Sequence, residues 1–205
     1  MQSLHEHPDV PGLLIAPCYL SKDEHDKLLA IIKALPWPVS HHKTTGVGNP
    51  LTRKALHYGY TFDYKTMGVD QQIPFKPYPD WLRETFPVGS RDLSLNEDEA
   101  LVNGYQDPDQ VTIQYYPPGS GIPPHCDTHS TYTHLFGLSL GNPVTMDFRQ
   151  PRPEGRFEVP VDLVPGSMIR MSGASRYEFE HGIKKRRSDP WPVEHHLSLA
   201  ARRRH

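Results

Sequence analysis

Leucines and isoleucines recur at helical spacing through SKDEHDKLLAIIKAL, where Leu28, Leu29, Ile32 and Leu35 fall on one stripe among charged residues. Ser21 with Glu24 three residues on is a capping-box signature, and Pro36 and Pro38 stop the run. The spacing therefore predicts a helix over residues 21–35, buried along a single face. Ahead of it PGLLIAPCYL reads as a short strand, and residues 1–10 read as a polar, disordered tail. Behind it the periodicity disappears over residues 39–55, which predicts a long loop. LHYGYTFDY then reads as an aromatic, β-prone strand and PDWLRETF as a short helix.

From residue 110 the texture changes to short β-prone runs, several of them alternating. QVTIQYY, HLFGLSLG, VTMDFRQ, RFEVPVDLV, SMIRMSG, SRYEFEHGI and EHHLSLAAR are punctuated by turns. Such runs predict a β-sandwich or jelly roll. Composition points the same way, because 22 prolines and 15 glycines in 205 residues break long helices and favour turns. The expected class is mainly β with an α+β extension, built as one domain over residues 11–205.

Charge excludes little. Lys and Arg number 22 against 24 Asp and Glu, so no global field marks the chain for a polyanion or a membrane surface. The balance is uneven, with KKRR at 184–187 and ARRRH at 201–205 basic, and six carboxylates within residues 92–109. No window approaches the roughly 18 apolar residues of a membrane span. No basic start leads into an apolar run, so no signal peptide is expected. Two cysteines, Cys18 and Cys126, make no disulfide framework and favour a reducing compartment, cytoplasmic or nuclear. A soluble monomer is the expectation.

The candidate chemistry lies in PPHCDTHSTYTH, residues 123–134. His125 and Asp127 form an H-x-D, a spacing that chance supplies about once in a chain of this composition; His7 and Asp9 are a second case. Context gives the first one weight. It follows a predicted strand and a Pro- and Gly-rich turn, and extended backbone would send both side chains to one face and Cys126 to the other. SRYEFEHGI offers a partner in His181, alternating with Tyr177 and Phe179 while Arg176, Glu178 and Glu180 face away. A hydrogen-bonded core histidine is the plainer reading of His181, but an inward histidine is costly without a partner. Two histidines and one carboxylate on a face match a facial Fe(II) site with three open positions; zinc uses the same donors with fewer. His134 and His129 read as loop or supporting residues, and His41, His42, His57 and His195 have no spacing that singles them out.

TIQYYPPGSGIPPHCDTHS, LSLGNPVTMDF and SGASRYEFEHGI, with HYGYTFDY upstream, resemble the AlkB family of Fe(II)/2-oxoglutarate oxygenases. Within it they are most similar to the tRNA-modifying branch that hydroxylates a wobble uridine, over residues 11–205. The resemblance implies a double-stranded β-helix, or jelly roll, at 106–205, with residues 11–105 as an N-terminal extension and substrate lid. It implies Fe(II), 2-oxoglutarate and O2 as cofactors. By it His125, Asp127 and His181 are the iron ligands and the catalytic centre, Tyr116 hydrogen-bonds 2-oxoglutarate, and Arg202 is one of two arginines clamping its carboxylates.

Two walls of that pocket depart from the family. Gln114 stands where asparagine is usual. HLSLAAR carries His196 in place of the first arginine and Ala200 in place of threonine, with Ser198 on the same face as His196 and Arg202. Three readings stay open: His196 holds the carboxylate as a weaker, pH-dependent donor; Arg170 substitutes from a neighbouring strand; or 2-oxoglutarate binding is impaired. Residues 41–60 occupy the place of the family's nucleotide lid. There Arg53 and Lys54 are candidates for phosphate contacts, and Tyr58 and Tyr60 for stacking a flipped base, with Thr128 and His129 beside the metal as further substrate contacts. Solvated cations and buried strand tyrosines are the plainer alternative. The implied activity is hydroxylation or oxidative demethylation of a modified or alkylated nucleic-acid base, in RNA and tRNA first. A non-catalytic module that has lost the clamp, or an oxygenase of proteins or small molecules, is the alternative class.

Overall fold

Ser21 caps the first helix as its sequence predicts. Its hydroxyl accepts the Glu24 backbone N–H, and the Glu24 carboxylate accepts the Ser21 backbone N–H at 2.8 Å. Such a cap is worth about 1 kcal/mol. The helix, α1, runs Lys22–Lys33 and buries Leu28 and Ile32. The computed structural model describes residues 5–37, 53–63, 65–66, 68–70, 72–85, 109–127, 133–186 and 196–202.

Thirteen strands are seen among these residues: β1 (His5–Glu6), β2 (Leu13–Ala16), β3 (Lys54–Gly59), β4 (Phe62–Asp63), β5 (Gly68–Val69), β6 (Gln110–Tyr116), β7 (Ile122–His125), β8 (Leu135–Gly141), β9 (Val144–Arg152), β10 (Gly155–Leu163), β11 (Met168–Met171), β12 (Glu180–Ile183) and β13 (His196–Arg202). Two short helices accompany them, α2 (Asp80–Thr85) and α3 (Gly173–Tyr177). A seven-stranded sheet has the order β1-β2-β11-β8-β13-β6-β3, and a four-stranded sheet the order β10-β9-β12-β7. Every pairing is antiparallel, and the two sheets form the jelly roll.

Alternation sorts the core into two layers. On β8, Phe136, Leu138 and Leu140 face α1 and pack with Leu28, Ile32, Val111, Ile113 and Met168. The opposite parity faces the smaller sheet, where Leu135, Ile169 and Met171 meet Phe148, Val161, Leu163 and Phe179. That second layer is filled with apolar side chains on one side and opens on the other into a cavity lined by both polar and apolar residues.

Three local expectations are corrected. Residues 5–10 are not a disordered tail: β1 pairs with Leu14 and Ile15 of β2, and Val10 is fully buried. LHYGYTFDY is broken, because Gly59 has φ +75°, and a Cβ there would fall 2.0 Å from the Asp109 carbonyl oxygen. SRYEFEHGI is not one strand. Ser175 Oγ accepts the Ser172 backbone N–H at 3.1 Å and closes a helical turn, α3, so the strand begins only at Glu180. The loop expected over 39–55 is described only from residue 53.

Candidate metal centre

His125 and His181 face each other across the β7–β12 ladder as direct register partners, with ring centroids 4.7 Å apart. The ladder shifts by one residue between His181 and Ile183, a bulge of the kind that re-aims side chains at a sheet edge. Asp127 sits two residues past His125, beyond the end of β7. Its carboxylate oxygens lie 3.8 Å from His125 Nε2 and 3.6 Å from His181 Nε2. One donor atom from each of the three residues falls within 4.8 Å of the others.

These spacings are too long for hydrogen bonds. They suit an ion between the side chains, since two neighbouring ligands each about 2.1 Å from a metal lie about 3 Å apart. Tautomers favour the same use. His125 Nδ1 lies 2.9 Å from the Pro123 carbonyl oxygen, which can only accept, so in the neutral ring that nitrogen carries the proton and Nε2 is the one able to ligate. Burial pushes the His181 imidazole down to about 4, a depression that Asp127 opposes while His125 and Arg176 add to it. At neutral pH it is uncharged, the ligating form, and its contact with Asp127 is not an ion pair.

The loop bearing Asp127 is pinned from behind. Cys126 Sγ donates to the Phe179 carbonyl at 3.3 Å. Arg176, 2% exposed, directs Nη1 at the Asp127 carbonyl oxygen at 3.5 Å. Strand alternation along SRYEFEHGI would turn Arg176 outwards; the helical turn of α3 buries it instead. The serine pair of SGAS was the available signal for a helical turn.

The triad closes one end of a cavity whose wall includes Thr112, Gln114 and Tyr116 of β6, Ser198 of β13, and Ile169 and Met171 of β11. Tyr116 donates its hydroxyl to Gln114 Oε1, and Arg53 Nη1 donates to the same oxygen at 3.1 Å. Ser198 pairs with Gln114, His196 with Tyr116 and Arg202 with Gln110. The side chains of His196 and Arg202 lie outside the described residues, as do Thr128 and His129 altogether.

Arg170 does not substitute for the missing arginine. Ile169 and Met171 line the cavity, so alternation sends Arg170 to the far face of β11, where its charge acts on His134. Lys54 and Tyr58 are corrected on the same ground. They have the opposite parity to Ala55, the partner of Gln114. Tyr58 is 8% exposed in the core under α1, edge-on to Trp81, with Lys76 Nζ 4.1 Å from its ring centroid. Tyr60 packs edge-on against Phe75 at 5.1 Å and is not among the cavity residues. Arg53, expected to reach phosphate, is aimed at Gln114 instead. His57, which no spacing singled out, has Nδ1 3.1 Å from Thr112 Oγ1. The basic run after β12 is partly neutralised, as Lys184 is paired with Asp147 at 3.3 Å and with Glu158.

The sequence profile of the 2OG-Fe(II) oxygenase superfamily matches residues 12–204. The chain belongs to that superfamily. Fe(II), 2-oxoglutarate and O2 are the cofactors of such an oxygenase. It is 36% identical over 181 residues to a tRNA (carboxymethyluridine(34)-5-O)-methyltransferase, alkbh8, of Xenopus tropicalis, covering 87% of this chain and 26% of that protein. It is 29% identical to an alkylated DNA repair protein ALKBH8 homolog of Arabidopsis thaliana, covering 88% of this chain and 53% of the other. The chain thus spans between about a quarter and a half of the length of these relatives. Among solved structures, OsALKBH1 superposes with a TM-score of 0.64 at 15% identity, covering 98% of this chain and 99% of the other. A Pseudomonas putida prolyl-4-hydroxylase follows the same fold with a TM-score of 0.58 at 16% identity, covering 94% and 93%.

Proposed function

We propose that this oxygenase hydroxylates or oxidatively demethylates a modified or alkylated base of a nucleic acid, with RNA, and tRNA in particular, as the substrate. The observation that carries the reading is the His125–Asp127–His181 triad lining a cavity with both polar and apolar walls, joined to the kinship with a tRNA-modifying enzyme and an alkylation-repair protein.

When bound, iron and 2-oxoglutarate supply the activation of O2, coupled to decarboxylation of the oxo acid. The chain's own residues do the rest by position. His125, Asp127 and His181 would hold the metal, beside the cavity that they help to line. Gln114 and Tyr116 present polar groups to the cosubstrate, while Leu135, Ile169 and Met171 keep that volume apolar. The outcome is set by which C–H bond is held at the metal. A hydroxyl on carbon bonded to carbon persists, whereas a hydroxylated N-methyl group breaks its C–N bond, its carbon leaving as formaldehyde and its hydroxyl proton passing to the nitrogen.

Mass spectrometry of nucleosides from tRNA treated with the iron-loaded protein and 2-oxoglutarate tests this. We expect a nucleoside heavier by one oxygen, or loss of a methylated nucleoside, and neither with the Asp127→Ala variant. Succinate formation without any change in tRNA or other RNA would remove the nucleic-acid reading and leave the oxygenase.

A further inference from the structure

We propose that Arg53 is the cation that receives the second carboxylate of 2-oxoglutarate, supplied from the edge strand β3 and not from β13; the role rests on 2-oxoglutarate being the cosubstrate. Lys54 pairs with Tyr115, so the same register carried one residue outward sets Arg53 beside Tyr116 on β6. On the other side of β6, His196 pairs with Tyr116. Directly opposed residues share a face of a sheet. Arg53, Tyr116 and His196 therefore occupy one row across three strands, and Ala55, Gln114 and Ser198 occupy the next.

The hydrogen bonds fix where the Arg53 side chain goes. Its Nη1 lies 3.1 Å from Gln114 Oε1, and the Tyr116 hydroxyl donates to that same oxygen. Gln114 and Tyr116 both border the cavity that contains the metal triad. A phenol and a guanidinium converging on one sp² oxygen are the donor set that a carboxylate oxygen requires. An incoming carboxylate competes with a neutral amide oxygen for those donors, and its charge makes it the stronger acceptor.

The ligand's chemistry requires such a cation. With its oxo-acid end at the metal, 2-oxoglutarate still carries a full negative charge two methylene groups further on. A buried charge is tolerated only when paired. Within the row that crosses Tyr116, the β13 position holds a histidine, a residue type that is not a permanent cation. The β3 position holds a guanidinium, charged at every working pH and shaped to grip a carboxylate with two parallel donors.

The test is an anaerobic titration of the Fe(II)-loaded protein with 2-oxoglutarate, read from the visible charge-transfer absorption and repeated with 2-oxopentanoate, which lacks the second carboxylate. Arg53→Gln is expected to weaken 2-oxoglutarate about tenfold or more while leaving 2-oxopentanoate and iron affinity unchanged. Arg53→Lys, which keeps the charge and loses the fork, is expected to fall between, with the circular dichroism of all variants equal to wild type. Adding His196→Arg to Arg53→Gln is expected to restore most of the loss. Unchanged 2-oxoglutarate affinity in Arg53→Gln, including a variant that weakens only tRNA binding, overturns the proposal alone. A wild type that binds iron but not 2-oxoglutarate overturns the cosubstrate assignment and the proposal with it.

Discussion

Gly182 lies so close to Pro124 that a Cβ on it would stand 2.8 Å from the proline nitrogen, with the Ile122 carbonyl oxygen at 2.9 Å. These are backbone atoms of β7, which cannot swing away as a side-chain tip can. The two strands that carry His125 and His181 approach at this distance because residue 182 has no side chain. Gly182→Ala is expected to cost about 1–3 kcal/mol in urea unfolding and to weaken Fe(II) binding, because the strands must part beside the triad. Full metal affinity in a destabilised variant would show that the ladder does not set the ligand spacing.

Asp127 bridges the two imidazoles, at 3.6 and 3.8 Å. Asp127→Ala is expected to abolish iron retention, measured as metal content after gel filtration, with the β-sheet circular dichroism unchanged. Its side chain is partly exposed and does not belong to either apolar core cluster.

Arg176 is expected to act through the Asp127 loop. Arg176→Met keeps the length and apolar packing of the side chain and removes its donor to the Asp127 carbonyl. Partners that orient metal ligands are commonly worth 10- to 100-fold in affinity, and at 3.5 Å we expect the lower end, about tenfold. Folding stability should hold or rise, since replacing a buried charge with an apolar side chain is often neutral or better. Arg176→Lys should recover part of the metal affinity, which a purely structural role would not predict.

His134 supplies a pH dependence of stability. It is 5% exposed, its ring stacks on that of Phe136, Thr133 Oγ1 lies 2.9 Å from its Nδ1, and the Arg170 charge acts on it. Burial first, and Arg170 second, push its imidazole down to about 4 from an ordinary 6.5. Between those values the unfolded chain takes up a proton that the folded chain refuses, so stability is full above 6.5 and falls as pH drops towards 4. The loss is up to about 3 kcal/mol. Urea unfolding at a series of pH values should show His134→Phe with a shallower slope than wild type in that window. Equal slopes would remove His134 from the account.

The parts of the fold that were legible in the sequence are those in which one local signal had one meaning. The Ser21–Glu24 pair allowed only a helix start, and the alternation along LFGLSLG allowed only a strand with one apolar face. H-x-D with a remote histidine was readable because the motif stood beside a turn that ended a strand. Less was readable where a face is fixed by the neighbour and not by the segment itself. Nothing within KALHYG says which parity meets the cavity, and only pairing with β6 places Lys54 and Tyr58 outside and Arg53 and His57 inside. SRYEFEHGI alternates well enough to pass for a strand, so the buried Arg176 was hidden by a wrong period. The strand β1 holds two polar residues, whose order comes from β2.

Strand β13 runs between β8 and β6 in the larger sheet, yet it is the last of the described strands along the chain. Without it, β1-β2-β11-β8 on one side and β6-β3 on the other share no ladder. A nascent chain that has not yet released residues 196–202 from the ribosome therefore presents two unfinished panels with raw hydrogen-bonding edges. Such edges pair readily with other chains. Assembly of this wall waits for the arrival of one late segment, and a polypeptide cut short before it is a candidate for aggregation and not for partial activity.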